Sequence, residues 1–179
     1  MCAGIDFTSG DTGILSKKAF KFNKTLLCVL ILAATLLLAG CGGAKSTRAK
    51  ADETVHTALF DFTCGQASTL DEFGSLEIPE GNKLVQFHMT VTNTSDETYE
   101  IFKDDFQMQW GDGDDDFGIA MYPLTTDMFP IETELAPGDS VEGDMMVYVP
   151  TDAATLTVAY QEILGNGNDG NNFFVDLSL

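Results

Sequence analysis

The sequence predicts an all-β fold, an antiparallel β-sandwich of about seven short strands spanning residues 55–179. Three observations carry this. Apolar and polar residues alternate with period two in several segments, giving each one apolar and one polar face. Those segments are separated by Gly, Pro, Asn and Asp punctuation. No stretch beyond residue 55 long enough for an average helix shows helical spacing of apolar residues.

The first strand expected is Thr57 to Phe62, followed by a shorter one at Leu76 to Ile78. Leu84 to Thr92 has the clearest pattern, with Val85, Phe87, Met89 and Val91 against Gln86, His88, Thr90 and Thr92. It ends in the turn Asn93-Thr94-Ser95-Asp96. Ile101 to Trp110 sets Phe106, Met108 and Trp110 against Asp105, Gln107 and Gln109, and Gly111-Asp112-Gly113 reverses the chain. Val141 to Val149 places Met145, Val147 and Val149 inward. Leu156, Val158 and Tyr160 form the next apolar face, and Phe173, Val175 and Leu177 the last. Two sheets burying these faces against each other make a sandwich.

Residues 1–40 have a different composition. Lys17, Lys18, Lys21 and Lys24 precede Leu26 to Ala39, an uncharged run too short to span a bilayer, and Leu38-Ala39-Gly40-Cys41 closes it. This layout resembles the bacterial lipobox. The resemblance implies a diacylglycerol on the Cys41 sulfur and signal cleavage between Gly40 and Cys41, which holds the mature chain at the cell membrane, outside the cytoplasm. Two acyl chains on one cysteine give stable attachment, where one alone binds marginally. Asp6 and Asp11 precede any base, so translation is expected to start near Leu15.

The expected organisation is therefore a cleaved signal (1–40), a lipidated cysteine with a flexible stalk (41–54), and the sandwich (55–179). The 139 residues after the signal suit one domain. From Ala51 onward 26 acidic residues face two basic ones, Lys83 and Lys103, a formal charge of -24. That charge excludes nucleic-acid binding and repels anionic lipid, whereas Lys45, Arg48 and Lys50 attract it. With Cys2 and Cys28 removed and Cys41 lipidated, Cys64 has no partner for an internal disulfide, and it is expected as a small buried apolar residue.

Between about Glu80 and Tyr160 stand Gly81-Asn82-Lys83-Leu84-Val85, Val91-Thr92-Asn93-Thr94-Ser95, Phe106-Gln107-Met108, Leu135-Ala136-Pro137-Gly138, Gly143 and Val147-Tyr148-Val149-Pro150. In these residues the chain resembles the uncharacterised immunoglobulin-like (telokin-like) domain of bacterial lipoproteins. The resemblance implies an Ig-like sandwich on a lipid-tethered stalk and supplies no catalytic residues. Trp110 has no cysteine pair to pack on, so the signature of antibody domains is absent.

No enzymatic constellation emerges. Ser140 in Gly138-Asp139-Ser140 would need an oriented base, and the two histidines, His56 and His88, have no motif linking them to it. Pro137-Gly138 reads as a turn and Ser140 as the start of a strand. Asp112, Asp114 and Asp116 sit at alternate positions that could converge on a calcium ion, which takes six to eight oxygens. An EF-hand does not fit, because Phe117 stands where its glycine belongs and Pro123 where its glutamate belongs. The competing reading is a solvated acidic hairpin. Gly165-Asn166-Gly167-Asn168-Asp169-Gly170 reads as the turn joining the last two strands. The function expected is a non-catalytic binding or interaction module meeting an envelope protein or wall component. The alternative is a ligand- or divalent-cation-binding accessory protein of a transporter or sensor.

Overall fold

A computed structural model describes residues 44–163 and 169–179. Gly40 and Cys41, the rest of the signal segment, and most of the turn expected at 165–170 lie outside the described residues. The described strands are β1 (Ser46–Lys50), β2 (Thr54–His56), β3 (Phe60–Cys64), β4 (Ser68–Leu70), β5 (Asn82–Asn93), β6 (Tyr99–Phe102), β7 (Phe106–Gln109), β8 (Phe117–Ile119), β9 (Glu132–Leu135), β10 (Ser140–Pro150), β11 (Thr155–Ile163) and β12 (Asp169–Ser178). One turn of 3-10 helix, Lys103–Asp105, is the only helix among the described residues.

Two sheets face each other. One has the order β1-β12-β11-β7-β8, the other β10-β5-β3-β2 with β4 also on β5, and β6-β9 form a separate ribbon. Among the described strands pairing is antiparallel except for β1, which lies parallel to β12, and an isolated parallel bridge joins Met128 to Asp144 of β10. The expected inward residues meet between the sheets: Val85, Phe87, Met89 and Val91 from β5, Met145, Val147 and Val149 from β10, Leu156, Val158 and Tyr160 from β11, and Phe173, Val175 and Leu177 from β12. Phe60, Phe62, Phe106 and Tyr160 form an aromatic centre, with Phe60 and Tyr160 edge to face at 4.9 Å between centroids. The all-β sandwich holds.

Several boundaries differ, each for a local reason. The stalk expected over 41–54 does not extend through Ser46–Lys50, which pairs along β12 from Ser46 opposite Asn172 to Lys50 opposite Asp176. This ladder is main-chain bonding with only Ala49 reaching the core, so hydropathy does not reveal it. The Thr57–Phe62 strand divides at a turn: Thr57 Oγ1 accepts from the backbone N–H groups of Leu59 and Phe60, reversing the chain between β2 and β3. Leu76 to Ile78 forms no strand. Leu76 and Ile78 instead join Leu70, Phe73, Met121 and Tyr148 around Leu84, Met128 and Met146 in a second apolar cluster. Ile101 to Trp110 is broken by the 3-10 turn, where an Asp105 carboxylate oxygen accepts from Phe102 N–H at 3.0 Å and the chain passes from the ribbon to the large sheet. The strand count consequently exceeds seven.

Candidate functional site: the open face of the five-stranded sheet

The outer faces of the two sheets are treated differently. On β5 and β10, Leu84 and Met146 point outward but are buried, because segments 70–78 and 121–128 of the same chain pack over them as the second apolar cluster. Among the described residues, the outer face of the β1-β12-β11-β7-β8 sheet has no such roof, and three surface hollows lie along it.

Register places its side chains in rows, since directly opposed residues share a face. One row runs Arg48, Phe174, Ala159, Gln107, Ile119, and the next runs Lys50, Asp176, Thr157, Gln109, Phe117. Ser46, Asn172 and Gln161 make a third. Six of these thirteen residues are amides or hydroxyls and three are charged, while Phe117 and Ile119 are exposed apolar side chains at the β8 edge. Arg48 bonds Asp176 and lies over the Phe174 ring at 5.0 Å. Thr157 Oγ1 donates to Asp176 at 2.8 Å, and Gln109 Nε2 donates to Gln107 at 2.9 Å. Ala159 between Phe174 and Gln107 leaves space, and a groove of about 460 Å³ opens there toward Gln161, Asn172 and Tyr99.

Electrostatics vary along this face. Burial would raise the Asp176 pKa, but hydrogen bonds from Arg48 and Thr157, with the Arg48 charge, outweigh it and hold the carboxyl below its ordinary value. At the groove's other wall Asp105 is raised, chiefly by burial; the Phe102 N–H opposes this and Asp104 reinforces it. Tyr99 is also raised, first by burial, and Tyr160 far more so by burial and by Tyr99 beside it. The two phenols therefore stay protonated hydrogen-bonding groups.

The sequence-derived candidates fall elsewhere. Ser140 Oγ bonds Thr92 Oγ1 at 2.7 Å, while His88 Nδ1 meets Asp144 at 2.9 Å. His88 is thus engaged four residues along β10 from Ser140, roughly 13 Å at the rise of a strand, and the two are not brought together. Asp112, Asp114 and Asp116, the candidate calcium ligands, lie in the turn between β7 and β8. Among the described residues no group of three or more His, Cys, Asp or Glu is arranged to hold a metal ion. The Asp116 carboxylate instead accepts from Gly113 N–H at 2.8 Å and closes the hairpin on itself. Cys64 is buried, and desolvation pushes its thiol up to about 12.

Three structural polar residues escaped the sequence. Asn93 donates to the carbonyls of Glu97 and Leu135 and accepts from Ser95, fixing the turn after β5. Lys103 is 1 % exposed, with Nζ on the Ala120 carbonyl at 2.6 Å, on Asp104, and over the Tyr122 ring. Glu162 accepts from Ala58 N–H and Asn171 N–H, tying the β2–β3 turn to the end of the β11–β12 pair.

Residues 49–169 match the family DUF4352, a domain of unknown function. The chain belongs to that family. No curated protein matches it in sequence. Among solved structures it is similar to the yjhA protein from Bacillus subtilis, with a TM-score of 0.58 at 16% identity, covering 73% of this chain and 99% of that one. It is also similar to a putative lipoprotein (ycdA) from Bacillus subtilis, with a TM-score of 0.56 at 13% identity, covering 70% of this chain and 38% of that longer one. An uncharacterized β-sandwich protein from Clostridium difficile aligns with a TM-score of 0.44 at 10% identity, over 76% of this chain and 97% of that one. These likenesses concern the fold of the DUF4352 sandwich.

Proposed function

We propose that this DUF4352 protein is a lipid-anchored lipoprotein of the cell envelope, and that its sandwich is a non-catalytic binding module engaging an envelope protein or wall component. The observation that carries the reading is the contrast between the two outer faces among the described residues: one is roofed by the chain's own segments, while the other keeps amides, hydroxyls, one ring-stacked guanidinium and the edge side chains Phe117 and Ile119 open. Such a face offers many hydrogen-bonding groups on rigid strands, which suits recognition of a polar partner. The lipobox-like segment ending at Cys41 supports the location, and so does the description of the ycdA neighbour.

The test is site-specific photo-crosslinking on living cells, with the reactive group at Gln107 on the open face or at His88 on the other sheet. Adducts specific to Gln107, abolished by Phe174→Ala, support the reading. Equal adducts from both faces, or none from Gln107, contradict it.

A further inference from the structure

We propose that the corner of the sandwich where β1 begins and β11 ends, formed by Lys45, Asn171 and Ile163, is a membrane-contact surface resting on the lipid headgroups. The inference rests on the lipid-anchor reading and adds the way the domain sits on its anchor. Once β1 is part of the sheet, the stalk nearly disappears. Lys45 is already fixed, its N–H donating to Asn171 Oδ1 at 3.0 Å and its carbonyl accepting from Asn172 N–H at 2.8 Å. Only Gly42, Gly43 and Ala44 separate it from Cys41. Four residue steps reach at most about 14 Å fully extended. A 13-residue flexible stalk would average about 20 Å. The remaining tether is no longer than the domain's own radius of gyration, about 14 Å for a chain of this size, so the Lys45 corner stays within about 14 Å of Cys41 and is the part of the domain held nearest the membrane.

The chemistry of the corner fits that position. Ile163 is 74% exposed, the highest value among the large apolar side chains exposed in the described residues. It lies at the end of β11 and lines the same groove as Asn172, the residue paired with Ser46. An exposed aliphatic side chain and a lysine at the same end of one sheet, at the strands either side of β12, can enter a headgroup layer together, the apolar group inward and the ammonium at the phosphates. Of the carboxylates at this corner, Glu162 is buried, with its oxygens occupied by Ala58 and Asn171 N–H groups, and Asp169 pairs with Ile163 at the start of β12. Asp96, Glu97 and Asp139 follow β5 and precede β10 on the other sheet, and Asp104 and Asp105 form the far wall of the groove. These carboxylates favour a tilt that puts the Lys45 corner down and the acidic flank away from anionic lipid. β11 then carries Thr155 roughly 27 Å outward at the rise of a strand, and the acidic 112–116 hairpin, which shares a hollow with Thr155 and Arg48, lies at the outer end.

The experiment uses the mature lipidated protein, reconstituted in vesicles of phosphatidylcholine and phosphatidylglycerol, with an environment-sensitive fluorophore on Ile163→Cys or Asp152→Cys. Cys64 is buried and stays unlabelled in the native state. Lipids carrying a quencher near the headgroup should quench the label at 163 several-fold more than the label at 152. Lys45→Glu should reduce that difference. Equal quenching at 163 and 152, on protein whose Cys41 mass includes the diacylglycerol, overturns the contact surface and leaves the anchor intact. An unmodified Cys41 overturns the anchor reading and this inference with it.

Discussion

Gly143 sits in the middle of β10 where the segment 127–129 crosses the strand, and Gly143→Ala tests the packing directly. A Cβ there would lie 2.5 Å from Phe129 N and 2.7 Å from Met128 C and Phe129 Cα, all backbone atoms that cannot swing aside. Relieving this takes a shift of about 1 Å, since carbon contacts want roughly 3.5 Å or more. The hydrogen bonds on either side, Phe129 N–H to the Asp144 carbonyl and Asp144 N–H to the Asp127 carbonyl, are each 3.0 Å and would be lost. Two such bonds contribute about 1–3 kcal/mol. Drawing Phe129, 1% exposed, out of register with the core adds about 1–3 kcal/mol. Removing a glycine from the unfolded chain returns about 0.4–1 kcal/mol. The net loss is about 3 kcal/mol, equivalent to a fall in Tm of roughly 10–15 °C for a domain of this size. Gly138→Ala is the comparison: its φ is +85° and its Cβ meets nothing within 4 Å, so it carries only the left-handed backbone cost, about 1–2 kcal/mol. Thermal and urea melts followed by circular dichroism measure both. A Gly143→Ala protein within about 1 kcal/mol of wild type, or one more stable than Gly138→Ala, refutes the crossing.

Lys103→Met should cost about 2–3 kcal/mol, because the buried Ala120 carbonyl loses its donor and Asp104 its partner; a urea midpoint unchanged from wild type would contradict this. Asp105 and Asp176 should respond oppositely to pH. The raised Asp105 pKa means that folding binds its proton more tightly, so stability is lost as pH rises from 3.8 through the folded value, and Asp105→Asn should raise Tm at pH 7 with the gain vanishing below 3.8. The depressed Asp176 pKa contributes stability above 3.8 that is lost as pH falls through the folded value, so Asp176→Asn should lower Tm at pH 7 and matter little in acid. Cys64 should react with a thiol reagent at pH 8 only when urea unfolds the protein; rapid labelling of native protein would contradict its burial.

The long central strands were legible because β5, β10, β11 and β12 carry period-two alternation, and one face of each is the core. The elements that were not legible have other causes. β1 is held by main-chain bonds to β12 and by Arg48 on Asp176, residues far apart in sequence with no apolar stripe between them. Leu76 and Ile78 look like strand residues because they are apolar, yet they fill a cluster outside the sheet. Lys103 reads as a surface lysine, and only the fold supplies the Ala120 carbonyl and Tyr122 ring that make its burial tolerable. For the candidate site, the polar halves of the alternating strands were visible, but which sheet stays unroofed depended on where segments 70–78 and 121–128 pack. The acidic loop stands out in the sequence by its density of charge, but that Asp116 turns back onto Gly113 N–H is set by the hairpin's geometry.

The central claim is that the DUF4352 sandwich works from a lipid anchor outside the cytoplasm, and mass spectrometry of the N-terminal peptide from the native membrane fraction tests it most directly. The account predicts a chain beginning at Cys41 with a diacylglycerol on its sulfur. A mature chain that retains residues 1–40, or one with Cys41 unmodified and the protein free of the membrane, would contradict it.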